Sequence, residues 1–211
     1  MSMNLEPQSR ARRKLIAAAR ASAAALGPAL PPALFVTDPA RMEDPGQLAR
    51  GLPAGFGVVY RHFGASDRSA VAAGLAAVCR SRGLAFLIAA DPLLALQVKA
   101  DGVHWPYRMR HAARRWRRRF ALQTVSAHSG RQLRAAAGLP VDAVLLSAVF
   151  VSNSASAGPA LGALKFAPLV RASGLPVYAL GGVTAENAAR VARSGGFAAV
   201  EGMRPFEKAR S

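Results

Sequence analysis

Polar side chains and a glycine pair stand where short apolar runs of this chain end. Arg61 and His62 close one run, Ser126 and His128 close another, and a Gly-Gly-Val-Thr turn at residues 181–184 follows a third. An imidazole can donate and accept protons near neutral pH, and an arginine within an apolar run is costly to bury unless it meets an anion. Backbone N–H groups of a glycine-rich turn at the start of a helix bind phosphate. These residues predict acid–base chemistry on a phosphate-bearing ligand.

Each of these residues also has a purely structural explanation. His128 could hold a neighbouring loop through a hydrogen bond, and the glycine pair could simply make a tight turn. Arg61 could form a structural ion pair with Asp38 or Asp91. His104, at the end of a further apolar run, fits a packed strand end at least as well as a ligand contact. Their position at strand ends favours function for His128 and for the glycine turn.

Short apolar runs alternate with helical segments from residue 33 onward. The runs are continuous, which is typical of strands buried on both faces of a parallel sheet. They span Ala33–Thr37, Phe56–Phe63, Leu84–Ala90, Gly102–Trp105, Phe120–Ser126, Ala143–Phe150, Pro176–Leu180 and Phe197–Val200. Helical spacing is clearest in Arg68–Arg82, Gly162–Ala172 and Ala185–Arg193. Alternating strands and helices imply parallel pairing through right-handed crossovers.

Eight such units predict an α/β fold, a (β/α)8 TIM barrel, with an open doubly wound sheet as the alternative. No G-x-G-x-x-G motif follows the first strand, so a dinucleotide site is not indicated. In a barrel the chemistry lies where the strands end. The end of the last strand therefore adds Glu201 and Gly202 to the candidate site.

Residues 1–32 are predicted to form a helix and a proline-rich linker ahead of one barrel domain at residues 33–211. Apolar residues between Leu15 and Leu26 fall on one side of this N-terminal helix, and Pro28 follows it. Because Arg20 interrupts the apolar part, a secretory signal is not indicated, and a cytoplasmic location is expected. Few residues follow the last strand, so the N-terminal helix should cover the flank of the last and first strands or the barrel bottom.

The composition excludes several classes of protein. With 52% apolar residues, the chain is not disordered. Its longest apolar run, Leu84–Ala90, is far shorter than the roughly 20 residues of a membrane span, so no membrane partner is expected. The single cysteine, Cys79, excludes an internal disulfide and a zinc site built from several thiolates.

The formal net charge of +17 suits nucleic acid, an acidic surface or a phosphorylated small molecule as partner. Arginine supplies 24 of the 28 basic residues and alanine is abundant, a bias that a GC-rich coding sequence also produces. Seven arginines and Trp116 fall within residues 108–119, which are predicted to form a helix on the barrel exterior. Basic residues beside an aromatic residue are typical of surfaces that bind RNA or single-stranded DNA. A solvated helix face explains the pattern more simply.

Four motifs occur in order along the chain after Phe35-Val36-Thr37-Asp38 in the first strand. They are Ala100-Asp101-Gly102-Val103-His104, Val125-Ser126-Ala127-His128-Ser129, Val149-Phe150, and the segment 176–184 with Asn187. Together they resemble thiamine phosphate synthase and its TenI relatives over about residues 33–203. The resemblance implies a (β/α)8 barrel. It also implies a synthase that joins a thiazole phosphate to a pyrimidine diphosphate with magnesium, or a thiazole tautomerase that uses the histidine at position 128.

The chain departs from the synthase pattern where that pattern binds magnesium. The resemblance places Ala90 and Met109 at the positions of the family's two magnesium aspartates. Asp91 comes one residue late and is a weak candidate for a metal ligand. Magnesium prefers carboxylate oxygens in near-octahedral geometry. A bound Mg²⁺ is therefore doubtful, and no cofactor is firmly expected.

The phosphate-binding positions depart as well. A signature of the form Gly-Pro-x-Phe-x-Thr-x-x-Lys reads here from Ser147 to Ala155, so its lysine is missing. Of the diphosphate-binding residues on the second strand, Arg61 remains and the lysine does not. Glu201 stands where the resemblance places a serine that contacts the thiazole phosphate.

The sequence therefore predicts a family member that acts on a thiazole phosphate, a phosphorylated small heterocycle, by synthase or tautomerase-type chemistry, with the tautomerase type favoured. The alternative is a catalytically degenerate barrel that serves as a phosphate-ligand or nucleic-acid binding or regulatory module. His128 is the expected catalytic residue. The expected ligand-binding residues are Arg61, His62, Ser126, Gly181, Gly182, Val183, Glu201 and Gly202.

Overall fold

Eight parallel strands close into a single barrel in which each strand pairs with its sequence neighbours and β8 pairs with β1. The structure is a computed structural model that describes residues 5–64, 66–152 and 158–207. This architecture confirms the predicted (β/α)8 barrel and excludes the open sheet. The strands are β1 Ala33–Val36, β2 Gly57–Tyr60, β3 Ala85–Ala89, β4 Gly102–Trp105, β5 Leu122–Ala127, β6 Ala143–Leu146, β7 Val177–Ala179 and β8 Gly196–Ala199.

Helices follow the strands on the outside of the barrel. Each predicted strand overlaps an observed one, and the predicted helix Arg68–Arg82 has the observed bounds. The α-helices are α1 Leu5–Leu26, α2 Pro45–Gly51, α3 Arg68–Arg82, α4 Pro92–Gln97, α5 Ala112–Trp116, α6 Gly130–Ala136, α7 Ala163–Arg171 and α8 Ala189–Ala192, and two 3-10 helices span Tyr107–Met109 and Glu201–Phe206. Within the described ranges, none of the helices combines the length and apolar content that a bilayer crossing requires.

The strands divide the core into two layers. Alternate residues along each strand point to opposite faces of the sheet. In β1, Leu34 and Val36 belong to the cluster inside the barrel, whereas Phe35 packs between the sheet and the helices. The continuous apolar runs in the sequence therefore reflect burial on both faces.

The N-terminal helix covers the seam of the barrel, as predicted. Leu15, Ala18 and Ala19 of α1 are buried, and α1 packs against α8, β8 and the 3-10 helix Glu201–Phe206. The segment after α1 closes the barrel bottom, where the Tyr178 hydroxyl donates a hydrogen bond of 2.6 Å to the carbonyl oxygen of Pro31. Helix α1 and the 3-10 helix Glu201–Phe206 thus lie together on the outside of β8.

The arginine-rich segment 108–119 is not the single helix that was predicted. It comprises the end of one 3-10 helix and the five residues of α5, with Ala113 buried. The segment contains no acidic residue, and like charges spaced four residues apart, such as Arg114 and Arg118, destabilise a helix. The repulsion explains why the helix stays short.

Candidate active site

A cavity of about 620 Å³ lies at the carboxyl ends of the strands, a size typical of small-molecule sites. Every strand contributes to its lining, directly or through the loop that follows it. Its charged and hydrogen-bonding side chains are Asp38, Arg41, Arg61, His104, Arg108, Ser126, His128, Ser147, Ser152, Thr184 and Glu201. Of the residues expected to bind ligand, Arg61, Ser126, Gly181, Gly182, Val183, Glu201 and Gly202 all line this cavity.

His128 is held at the rim of the cavity by the loop between β5 and α6. Its backbone N–H donates to Gln132 Oε1 at 2.8 Å, and the Gln132 N–H donates to Ser129 Oγ at 3.2 Å. The ring nitrogen Nδ1 lies 3.0 Å from Ser147 Oγ. Its other nitrogen, Nε2, forms no hydrogen bond to any described residue. One nitrogen is therefore fixed and the other remains open to a ligand.

His104 is buried between two hydroxyl groups. Its Nδ1 lies 2.8 Å from Thr124 Oγ1, and its Nε2 lies 2.8 Å from Ser126 Oγ. Burial, followed by the charges of Arg61 and His128, lowers the pKa of His104 to about 3. The ring is therefore neutral at physiological pH, with one nitrogen donating and the other accepting. It is the packed strand end that its sequence suggested, and it also orients Ser126 at the cavity wall.

Arg61 carries its charge into the cavity without a carboxylate partner. The alternative of an ion pair with Asp38 or Asp91 is wrong, because both carboxylates pair elsewhere, with Arg41 and Arg68. Within the described residues, Arg61 forms no ion pair. A half-buried guanidinium in this state is suited to an anionic ligand.

Asp91 does not serve the cavity, which corrects its candidacy as a metal ligand. Its Oδ1 accepts from the Leu94 N–H at 3.0 Å and so caps α4, while Oδ2 accepts from Arg68 at 2.9 Å. The neighbouring Ala90 and Met109 bring no side-chain oxygen. Among the residues that the structure describes, no group of three His, Cys, Asp or Glu side chains could hold a metal. The residues present do not fit the magnesium that the synthase pattern implies.

His62 lies outside the cavity, contrary to the prediction. Neighbouring residues of an extended segment face opposite sides, so Arg61 points inward and His62 points toward the helices. Its ring stacks on Tyr60 with centroids 4.7 Å apart, and the side chain is buried. Burial lowers the pKa of His62. A neutral, stacked imidazole cannot supply the cationic phosphate contact that was expected.

The glycine turn after β7 requires glycine. Gly181 and Gly182 have φ angles of +90° and +64°, a region that L side chains adopt only at a cost. A Cβ atom at Gly182 would lie 2.1 Å from the carbonyl oxygen of Val151. Close packing of two loops, in addition to the turn itself, explains the glycine pair.

The turn does not lead directly into a helix, which corrects the predicted mechanism of phosphate binding. Helix α8 begins only at Ala189. The intervening residues form turns, in which the Thr184 N–H donates to Asn187 Oδ1 and the Asn187 amide donates to the Gly182 carbonyl oxygen. The N–H groups of Gly182 and Val183 have no acceptor among the described residues. These turn amides, rather than a helix terminus, are the available phosphate donors.

Glu201 and Gly202 follow β8 and adjoin the glycine turn. A Cβ atom at Gly202 would lie 2.0 Å from the Val183 carbonyl oxygen, so the two loops touch. Glu201 Oε2 lies 3.8 Å from a terminal nitrogen of Arg41, whose Nε lies 3.6 Å from Asp38 Oδ2. The rim of the cavity thus holds one arginine between two carboxylates.

Sequence reasoning missed Arg41 and Arg108 as cavity residues. Arg41 stands three residues beyond the Thr37-Asp38 strand end, and Arg108 belongs to the run that was assigned to the exterior. Reading each strand end a few residues further would have found both. Residues 153–157, which include Asn153, Ser154 and the lysine position at Ala155, lie outside the described residues.

Comparisons with known proteins agree with this geometry. Residues 33–203 match a family model described as thiamine monophosphate synthase. The chain is 31% identical over 134 residues to a thiamine-phosphate synthase from Geobacillus kaustophilus, covering 62% of this chain and 60% of that protein. It is 32% identical over 124 residues to a thiamine-phosphate synthase from Bacillus velezensis, covering 56% of this chain and 54% of that protein. The matches thus span less than two thirds of these relatives.

Solved structures share the fold. Thiamine phosphate pyrophosphorylase from Pyrococcus furiosus aligns with a TM-score of 0.69 at 19% identity, covering 84% of this chain and 92% of that one. FabK from Thermotoga maritima aligns with a TM-score of 0.62 at 14% identity, covering 82% of this chain and 58% of that one. At these identities the likeness concerns the barrel alone.

Proposed function

Because this chain belongs to the thiamine monophosphate synthase family, we propose that it acts on a thiazole phosphate by proton transfer, as a tautomerase does. The observation that carries the proposal is the shared cavity of His128 and the glycine turn. Among the described residues, nothing hydrogen-bonds to Nε2 of His128 or accepts from the N–H groups of Gly182 and Val183, and all three face this cavity. A tautomerase needs an acid–base group and donors that hold its substrate, and these residues could supply both.

The phosphate would be bound where the loops after β7 and β8 meet. In TIM barrels this region is a frequent phosphate site. Three arginines line the same cavity, namely Arg41, Arg61 and Arg108. Their charge compensates the phosphate, and a guanidinium can contact two phosphate oxygens at once.

The chemical step requires only that one proton leave the heterocycle and one return at another atom. His128 accepts the first proton at Nε2 and becomes an imidazolium. It then donates a proton to the second atom and returns to its neutral form, so that atoms and charges balance. The neutral His104 keeps the Ser126 hydroxyl oriented toward the ligand through its 2.8 Å contact.

Magnesium-dependent coupling to a pyrimidine diphosphate has less support. The carboxylate of Asp91 is already engaged by Arg68 and by the start of α4. Asp38 and Glu201, the cavity carboxylates among the described residues, are both shared with Arg41. A magnesium ion would have to compete with the guanidinium for each of them.

The test replaces His128 by Gln, with the exposed His111→Gln, outside the cavity, as the matched control. His128→Gln should lower turnover of a thiazole phosphate about 10²–10⁴-fold and leave its Kd within about tenfold. Turnover is followed by NMR of the heterocycle in deuterated buffer, and binding by calorimetry, each with and without magnesium.

Two outcomes would contradict the proposal. Magnesium-dependent formation of thiamine phosphate by the wild-type protein would favour the synthase. Tight binding of the thiazole phosphate without turnover would favour the catalytically degenerate barrel. The exposed arginines of segment 108–119, among them Arg114, Arg115 and Arg118, would then be the candidate binding surface for nucleic acid. Binding of a polyanion to this surface should weaken steeply as the salt concentration rises.

A further inference from the structure

We propose that Ser147 is a positioning residue that fixes the tautomer and orientation of His128. The inference rests on the proposed function, because it assigns the acid–base role to Nε2 of His128. In the family signature that this chain resembles, position 147 is a glycine. The hydroxyl group at position 147 thus departs from that signature.

Ser147 is itself held firmly next to the histidine loop. Its backbone N–H donates to the carbonyl oxygen of Ala127 at 2.9 Å. This bond extends the pairing of β5 and β6 by one residue beyond Ala127–Leu146. The Ser147 side chain consequently emerges beside His128, and its Oγ lies 3.0 Å from Nδ1.

The proton on one imidazole nitrogen decides whether the other nitrogen carries a lone pair. The Ser147 hydroxyl can accept from Nδ1–H or donate to Nδ1, and the proposal assigns it the acceptor role. If the Nδ1–H of His128 donates to Ser147 Oγ, Nε2 has a free lone pair and can act as a base. After Nε2 takes up a proton, Nδ1–H donates to the same oxygen. A single serine oxygen therefore serves both halves of a proton-transfer cycle without rotation of the ring.

The same geometry argues against Ser147 as a nucleophile. A serine nucleophile needs a base whose second nitrogen is oriented by a third group. Among the described residues, Nε2 of His128 has no such partner. In addition, Nε2 would be the nitrogen left facing the ligand, whereas the serine contacts Nδ1. The pair is therefore arranged for positioning and not for covalent catalysis.

The experiment combines a tautomer measurement with kinetics. Protein labelled with ¹⁵N-histidine is studied by two-bond ¹H–¹⁵N correlation above the titration range, and the His128→Gln spectrum assigns the signal of His128 among the four histidines. The Nδ1–H tautomer is expected in the wild type. Ser147→Ala should shift it toward the Nε2–H form, which an unrestrained histidine prefers, and Ser147→Thr should restore it.

In the kinetic arm, Ser147→Ala should lower kcat for the thiazole phosphate roughly three- to tenfold, the effect of one hydrogen bond, with KM unchanged. Ser147→Thr should recover most of that loss. Thermal denaturation of both variants shows that they are folded.

The outcomes separate the two proposals. An Nε2–H tautomer in the wild type, or an unchanged His128 signal in Ser147→Ala, overturns the role of Ser147 whatever the enzyme does. Absence of turnover in the wild type overturns the proposed function, and the tautomer spectra then decide by themselves whether Ser147 holds His128. A loss of kcat that Ser147→Thr does not rescue also counts against positioning by the hydroxyl.

Discussion

The charge at the cavity rim is set by a triad of side chains, Asp38, Arg41 and Glu201. Arg41 is within 4 Å of both carboxylates, so neither its charge nor theirs is fully available to a ligand. Glu201 lines the same cavity as the glycine turn whose N–H groups are the proposed phosphate donors, and its neighbour Gly202 touches Val183 of that turn. A carboxylate there repels an anion and competes for the arginine.

Glu201→Ser should therefore tighten the binding of inorganic phosphate, by about two- to fivefold as for a partly exposed charge. Glu201→Gln, which keeps the size of the side chain, should act in the same direction. Calorimetry at low ionic strength measures both. If Ser tightens binding and Gln does not, the side-chain volume of Glu201 and not its charge limits the site.

For single residues, the sequence could predict which side chains line the cavity when they stand at the end of a strand. Arg61, Ser126 and His128 were identifiable because a carboxyl strand end in a barrel must face the mouth. His62 was misplaced because the phase of a strand cannot be read from a continuous apolar run. Arg41 belongs to a loop, where no periodicity reports the direction of a side chain.

Among the secondary-structure elements, helix α1 is expected to contribute to the stability of the barrel. It lies outside the segment 33–203 that matches the family, yet Leu15 is completely buried in the main core. Leu15→Ala should lower the free energy of unfolding by about 2–5 kcal/mol, the usual cost of a cavity in a core. Urea denaturation measures the change.

Arg20→Ala is the matched control, since Arg20 is exposed on the same helix. Arg20→Ala should change the free energy of unfolding by no more than about 0.5 kcal/mol. A Leu15→Ala variant as stable as this control would show that α1 contributes little to the barrel.

The sequence was a better guide to strands than to helices. Strand positions followed from runs such as Gly102–Trp105, whose predicted and observed bounds agree. The segment Ala185–Arg193 has helical spacing, but the Asn187 side chain bonds to the turn before it and only Ala189–Ala192 become helix. Such competition between side chain and backbone depends on contacts that spacing does not encode.

For the molecule as a whole, buried neutral histidines make stability depend on pH. The pKa of His104 in the folded protein is about 3, and burial lowers that of His62 as well. Both regain the ordinary value of about 6.5 on unfolding. Between about pH 6.5 and 3 the unfolded chain binds more protons, so the free energy of unfolding falls as the pH falls.

The expected slope is up to about 1.4 kcal/mol per pH unit for each histidine. Urea denaturation between pH 7 and pH 4.5 measures it, and His104→Gln should flatten the curve. The comparison uses slopes, because acidification also adds charge to a chain whose net charge is already +17. Parallel curves for the two proteins would contradict the assignment to His104.

The overall barrel could be predicted because eight strand units with helical connections leave few ways to cover both sheet faces. The apolar residues between Leu15 and Leu26 on one side of the first helix likewise predicted that this helix buries one face against the barrel. The partners of Asp38 and Asp91 could not be inferred in this way. The sequence offers several arginines as partners for each aspartate, and the packing of the folded protein pairs Asp38 with Arg41 and Asp91 with Arg68.

The position of α1 has a consequence for the order of events during synthesis. Translation produces α1 and β1 before β8, on which both complete their packing. A nascent chain stalled before residue 196 would leave the buried face of α1 uncovered and the edge of β1 unpaired. Such surfaces are prone to aggregation, so we expect the nascent chain to be protected from aggregation only after β8 has left the ribosome.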